Sequence, residues 1–464
     1  MLTKLTSRNY FLMCTSLYII AFGFSFGFLN SYFWDDWYTY FDQSALDIRS
    51  NTVISGFNPM RLVLEGFLNE KFFPGFRILI FFFYPLAAFA LHQVLKTKNY
   101  LNFFEVRAIT LFFLLAPVNS ARAAVMLFMY TSCMCAFFVA WWLYNSKSNA
   151  LFRLLSIALF LYSFDTASFI PFMSVPIAFT YLDSRILRNS NFGWIKSNFL
   201  LIIIGPLFWF LEPILNPNLD PIRDAYYQPK VSGLVRAIVY LLPLLAIALW
   251  GFVVRKWNYA SHRGHVQFIL GLFTCWLAIF PYVALGHFAN LNSMIVGFVP
   301  NLSDWDSRHQ LLLPLGIALI LVGFMNYLDS IKTQKLVVGV AILFSLLNFT
   351  FTQEYYFDAL KQQQIIRALS ENTQLDSFER LLIEDDALRF NARGRSIRTY
   401  EWDRIISANT SGSNKLTEVS RFIDCESFSP QAKIVISASS GRLRALVTRN
   451  VGIAIDVVEV SICN

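Results

Sequence analysis

Long apolar runs, broken at intervals by short polar stretches, dominate the first three quarters of the chain. A bilayer's hydrocarbon core takes about 20 apolar residues as one helix. Eleven runs approach or meet that length: Tyr10–Leu29, Pro74–Leu95, Val106–Val118, Ala123–Tyr144, Leu151–Phe164, Phe169–Leu182, Phe199–Leu215, Leu234–Val254, Val266–Leu285, Leu311–Tyr327 and Leu336–Phe351. The runs that start at Val106, Leu151 and Phe169 are short for a full crossing and call for adjustment by their neighbours or the bilayer. The first run follows Lys4 and Arg8, and no small-residue cleavage site follows it, so it reads as a spanning helix rather than a removable signal.

Charge in the polar stretches alternates. One set carries Lys96, Lys98 and Arg107, then Lys147 and Arg153, then Arg185, Arg188 and Lys196, then Arg255, Lys256 and Arg263, then Lys332 and Lys335. The other set collects acids: Asp35, Asp36, Asp42, Asp47, Glu65, Glu70, Asp165, Asp220, Asp224, Asp304 and Asp306. Basic loops stay cytoplasmic, so the pattern predicts about 11 spans with the N-terminus in and the C-terminus out.

After Phe351 the periodicity changes. Gln353–Glu371 predicts a polar helix, with Tyr356, Leu360 and Ile365 at roughly helical spacing. Phe378–Glu384 reads as a strand, as do Lys433–Ser437 and Arg442–Arg449 on either side of the Ser439-Ser440-Gly441 turn, and Val451–Ile462. The expected fold is therefore an α-helical polytopic membrane protein, residues 1–352, followed by a small extracytoplasmic α/β or α+β domain, residues 353–464.

Composition agrees. The 464 residues are 56% hydrophobic and 15% charged, with 48 Phe, whereas a soluble domain carries roughly 25% charge. A net charge of +8 spread over short loops makes no nucleic-acid face. Cys14, Cys133, Cys135 and Cys275 lie in apolar runs and read as packing residues, while Cys425 and Cys463 could pair outside the cytoplasm. No Gly-rich phosphate loop, zinc motif or nucleophile elbow is present.

Candidate chemistry gathers on the expected outer face. Trp34-Asp35-Asp36-Trp37 follows the first span. Paired carboxylates at a membrane boundary are costly unless they face water or bind something. One could serve as general base, or the two could hold a divalent cation; the bland alternative is an interfacial loop with two belt tryptophans. Asp304-Trp305-Asp306-Ser307-Arg308-His309 runs straight into a span. Arg308, with His309, offers donors for a phosphate, unless Arg308 simply pairs with Asp304 or Asp306. Arg61, Arg77, Asn119, Arg122 and Asp165 are lone polar residues at outward helix ends. Arg77 and Asp165 are the strongest cavity candidates among them, although snorkelling or capping explains any single one. The Arg389–Arg404 stretch reads as a solvated, charge-balanced face rather than an anion site.

These features together resemble the GT-C class of glycosyltransferases. The likeness rests on many spans, an acidic motif in the first outer loop, and a C-terminal outer domain. Asp35-Asp36 stands where that class has its acidic motif. Asn58-Pro59-Met60-Arg61-Leu62 looks like the Arg-Pro-Leu-type segment of bacterial O-antigen glucosyltransferases with its order altered, and Ser307-Arg308-His309-Gln310 looks like their late basic motif. The resemblance implies transfer of a sugar from a polyprenyl-phosphate carrier to a glycan or lipid acceptor at the periplasmic face of a bacterial inner membrane, as in lipopolysaccharide O-antigen modification. Asp35 or Asp36 would be the base. Arg308, His309, Arg77, Arg61 and Asp165 would hold substrate or phosphate. A divalent cation is optional, and a flippase would be the natural partner. The competing readings are an O-antigen polymerase or ligase and, from another class, a lipid-linked glycan transporter.

Overall fold

A computed structural model of the chain describes residues 6–34, 36–37, 73–146, 149–186, 191–215, 230–239, 242, 263–286, 304–328, 330–372, 380–407, 416–419 and 432–459. The helices lie where the apolar runs lie. They are α1 (Ser7–Phe22), α2 (Phe73–Lys96), α3 (Phe103–Leu115), α4 (Phe128–Asn145), α5 (Ala150–Ser163), α6 (Phe169–Phe172), α7 (Ser174–Ile186), α8 (Asn191–Leu215), α9 (Arg263–Ala284), α10 (Leu313–Met325) and α11 (Ser330–Ser370). Residues 231–239 are helical as well. Among the described residues, six helices are long and apolar enough to cross a membrane: Ser7–Phe28, Pro74–Lys96, Val125–Asn145, Phe192–Leu211, Arg263–Ala284 and Lys332–Ser370. The chain is thus a helical membrane protein.

Local sequence explains the ends and the packing. Asn102 and Glu105 form a reciprocal capping box that starts α3, with Glu105 N–H donating to Asn102 Oδ1 at 2.9 Å and Asn102 N–H to Glu105 Oε2 at 2.6 Å. The other oxygen of Glu105 accepts from Asn326 Nδ2 at 2.8 Å, and the same amide donates to Gln267 Oε1 at 2.7 Å. The Asn326 amide, at the end of α10, therefore joins α3 and α9. Glycines let α9 and α10 pack backbone against backbone. A Cβ on Gly271 would lie 2.7 Å from Ile320 N, one on Gly316 2.7 Å from Cys275 N, and one on Gly323 2.6 Å from Phe268 N. In lipid, such close approach supplies the dispersion contact that hydrophobic exclusion cannot.

The last span and the polar helix expected at Gln353–Glu371 are one element. α11 runs 41 residues without a break, about 60 Å at 1.5 Å per residue and roughly twice the hydrocarbon thickness. The expected domain boundary after residue 352 falls inside it. Its far half buries Tyr355, Phe357, Leu360, Ile365 and Leu369 against the C-terminal elements. Those are β1 (Arg380–Asp385), α12 (Thr399–Ser407), β2 (Leu416–Val419), β3 (Ala432–Ala438), α13 (Arg442–Thr448) and β4 (Ile453–Glu459). The sheet order is β2-β1-β3-β4. β1 pairs in parallel with both β2 and β3, and β3 pairs antiparallel with β4.

Two expectations change. Arg442–Arg449 is a helix rather than a strand, because Ala445 is buried and Leu446 half-buried on one side of a helical turn that begins at Gly441. The span expected from Ala123 becomes regular α-helix only at Phe128; residues 120–127 are short 3₁₀ turns.

The glycine contacts carry a prediction. Gly316→Val forces α9 and α10 apart and should cost about 1–3 kcal/mol of overpacking strain. A lower thermal midpoint of the detergent-purified chain, with a smaller loss for Gly339→Val, whose added Cβ would meet nothing within 4 Å, would bear this out.

Candidate functional site

Residues 116–127 connect α3 to α4 without regular α-helix. Pro117 removes a donor there, and Asn119 sits in the left-handed region at φ 56°. Non-helical backbone beside membrane spans survives only where protein satisfies its polar groups, and here the partners come from three separate regions. Asp36, from the first loop, accepts from Val125 N at 3.0 Å and Met126 N at 2.8 Å. Arg77, from α2, donates to Ala123 O at 3.1 Å. Ser307 Oγ accepts from Ala121 N at 2.8 Å, and Gln310 Oε1 from Asn119 N at 3.3 Å.

Asp36 and Arg77 are both buried and lie 3.6 Å apart at Oδ2 and Nη2. Asp36 Oδ2 also accepts from Phe33 N at 3.2 Å, which closes the turn that follows α1. Arg77 further donates to Leu29 O and Ser31 O, each at 2.8 Å, and to Phe28 O. Its guanidinium lies over the Phe28 and Phe33 rings. Arg77 therefore holds carbonyls and a carboxylate together. Burial raises the Asp36 carboxyl from 3.8 to about 6, against the opposing pull of Arg77 and three backbone N–H groups.

The neighbouring Trp34 is tied to the C-terminal elements. Its backbone is left-handed, at φ 50°, and its N–H donates to Glu401 Oε2 at 3.1 Å. A bulky residue in that region is strained and persists only where its surroundings enforce it. Arg395 grips both oxygens of Glu401 at 2.8 Å, donates to Asp358 Oδ2 on α11 at 2.8 Å, and lies 5.1 Å from the Trp34 ring. Burial alone would lower the Arg395 pKa, but Asp358 and Glu401 more than reverse that and keep it charged. The expected solvated face at Arg389–Arg404 is thus, at Arg395, Glu401 and Trp402, a buried clamp.

A cleft of about 40 Å³ opens between α1, α2, the 116–127 segment and α11, with Ser25, Arg77, Ser120, Arg122, Thr352 and Tyr355 among its walls. That is room for about three waters or a small oxyanion. The Arg122 guanidinium stacks 3.3 Å from the Phe22 ring centre and 4.5 Å from that of Tyr84. Arg122 Nη2 and Tyr355 Oη are buried and have no hydrogen-bond partner among the described residues. Two unmet donors on one cleft suit an anion.

The sequence candidates distribute as follows. Asp35 and Arg61 lie outside the described residues. Arg308 is half-buried on the 3₁₀ turn Asp304–Gln310, beside the Ser307 that bonds Ser120 and Ala121. His309 is buried, its ring 4.2 Å from that of Tyr282, whose hydroxyl donates to Ser168 Oγ. Ser168 follows the turn that carries half-buried Asp165. Tyr355 and the Arg395–Glu401 clamp were missed as site residues, and Arg122 had looked like a helix-end singleton. The available signal was a 13-residue span followed by Pro117 and Asn119, too short and too broken to cross without outside partners. Among the described residues, no three His, Cys, Asp or Glu side chains converge to hold a metal ion.

No protein-family model, curated protein or solved structure matches the chain.

The Asp36 environment fixes a pH dependence. The folded-state value near 6 lies above the ordinary 3.8, so the fold holds this proton more tightly than the unfolded chain does. The stability it contributes is fully present below pH 3.8, is lost as pH rises through about 6, and changes no further above that. Thermal midpoints measured across that window should show this slope in the native chain and lack it in Asp36→Asn.

Proposed function

We propose that the chain is a membrane glycosyltransferase of GT-C type, with about eleven crossings, the N-terminus inside, and its site on the periplasmic side of a bacterial inner membrane. It would move a sugar from a polyprenyl-phosphate carrier to a surface glycan or lipid. The observation that carries the reading is the meeting of the acidic loop and the Ser307–Gln310 segment on residues 119–126, beside a cleft with two unmet donors, Arg122 Nη2 and Tyr355 Oη. A carrier-bound sugar is the activated donor suited to that side, where nucleotide sugars are absent, and a flippase would supply it.

Both oxygens of Asp36 accept backbone N–H groups, so Asp36 holds the loop and its neighbour Asp35 takes the proton. The acceptor hydroxyl gives its proton to Asp35, and its oxygen attacks the anomeric carbon. The bond from that carbon to the carrier's phosphate oxygen breaks, and its electron pair leaves on the phosphate. Arg77 is committed to carbonyls and Asp36, so Arg122 and Tyr355 meet the growing negative charge, with Arg308 and His309 on the substrate side.

The test is transfer of radiolabelled hexose from polyprenyl phosphates to envelope glycolipids in reconstituted membranes. Asp35→Asn should lower turnover about 10²–10⁴-fold, the usual size of general-base loss. Arg122→Met should lower it about 10²–10³-fold, the scale of losing one charge-stabilising donor. Unchanged transfer in both variants would sink the proposal.

A further inference from the structure

The helix α13 is amphipathic in an inverted sense. Ala445 is buried and Leu446 half-buried against the C-terminal core. Leu443 and Val447, one turn apart and so on one face, are each 78% exposed. A helix on a water-facing surface normally presents polar residues there. Arg444 and Arg449 are also exposed, Arg442 is half-buried, and no acid lies between Arg442 and Asn450.

The depth of this helix is set by α11. Arg393 stacks 4.0 Å over Phe351, the last residue of the apolar run, and its N–H donates to Glu354 at 2.9 Å. Arg442 lies 3.9 Å from the same Glu354 and 5.6 Å over Phe357. Three to six residues beyond Phe351 is about 5–9 Å along the axis, the depth of the headgroup layer on either side of a core about 30 Å thick. Exposed Leu443 and Val447, flanked by arginines at that depth, match the composition of interfacial helices that rest on anionic lipid.

We propose that α13 is a membrane-surface foot: Leu443 and Val447 enter the headgroup–acyl boundary of the leaflet where α11 emerges, and Arg444 and Arg449 bind anionic lipid phosphates there. The occupant is the bilayer surface itself. This stands apart from the glycosyltransferase reading and needs only that the chain is embedded.

The experiment uses the full chain in nanodiscs with Cys425 and Cys463 changed to Ser. Cys14, Cys133 and Cys135 are buried and Cys275 half-buried, so this background reacted with the same dye sets the baseline. An environment-sensitive fluorophore is placed at Val447→Cys, and at Arg367→Cys as control, a site 74% exposed and about 15 Å farther along α11 than Phe357. The expected result is blue-shifted emission at position 447, quenched several-fold by shallow nitroxide lipids, with quenching that deepens when phosphatidylglycerol joins phosphatidylcholine and shallows again in Arg444→Gln/Arg449→Gln. Water-like, unquenched emission matching the control would overturn the proposal. So would a blue shift that nitroxide lipids leave unquenched, since a second copy or another protein would then cover the face. Quenching indifferent to phosphatidylglycerol would overturn the anionic assignment.

Discussion

The structure turns on unpaired backbone. Ten or so residues between α3 and α4 forgo the helical ladder beside the spans, and each N–H and C=O freed there must find a partner. Asp36, Arg77, Ser307 and Gln310 supply them. None of these is near 119–126 in sequence except through the fold, so one local demand draws the first loop, the second helix and a late loop together. A buried ion pair is a weak source of net stability, and removing one partner is strongly destabilising. The Asp36–Arg77 pair is therefore better understood as fixing geometry than as supplying binding energy. The cleft beside Arg122 exists because that geometry is held.

The clamp of Arg395, Glu401 and Asp358 extends the same logic outward. It ends on the backbone of a strained residue, Trp34, immediately before Asp35-Asp36. α11 and α12 are thus wired to the acidic loop through charge-assisted bonds in a dry setting, where they are strongest. A single apolar cluster containing Phe28, Trp34, Ala123, Tyr355 and Ile434 backs this wiring.

Much of the helical layout was legible because apolar runs of near-bilayer length leave few alternatives. Phe73–Lys96 and Arg263–Ala284 lie close to their runs. Tyr10–Leu29 and Ala123–Tyr144 differ at the ends where 3₁₀ turns take over, since hydropathy does not sense which backbone hydrogen bonds tertiary partners will claim. Arg442–Arg449 reads as a strand because Arg442, Leu443, Arg444 and Ala445 alternate polar and apolar, over too few positions to separate the two periods. For the site, Asp36 and Arg77 were visible as misplaced charges, but their mutual engagement was not, because it depends on carbonyls contributed by Phe28, Leu29 and Ser31. Arg395 and Glu401 looked like ordinary surface charge. Their burial depends on Asp358, which sequence places on a different element.

The unbroken α11 has a mechanical meaning. Nothing flexible separates the portion within the bilayer from the portion that carries the sheet, so the two cannot adjust independently. Should a thicker or thinner membrane tilt the rod, the sheet would swing with it as the end of a lever, and the clamp on Trp34 would carry that movement to the acidic loop. Bilayer thickness and the posture of the loop are thus joined by one rigid helix and the clamp at its end.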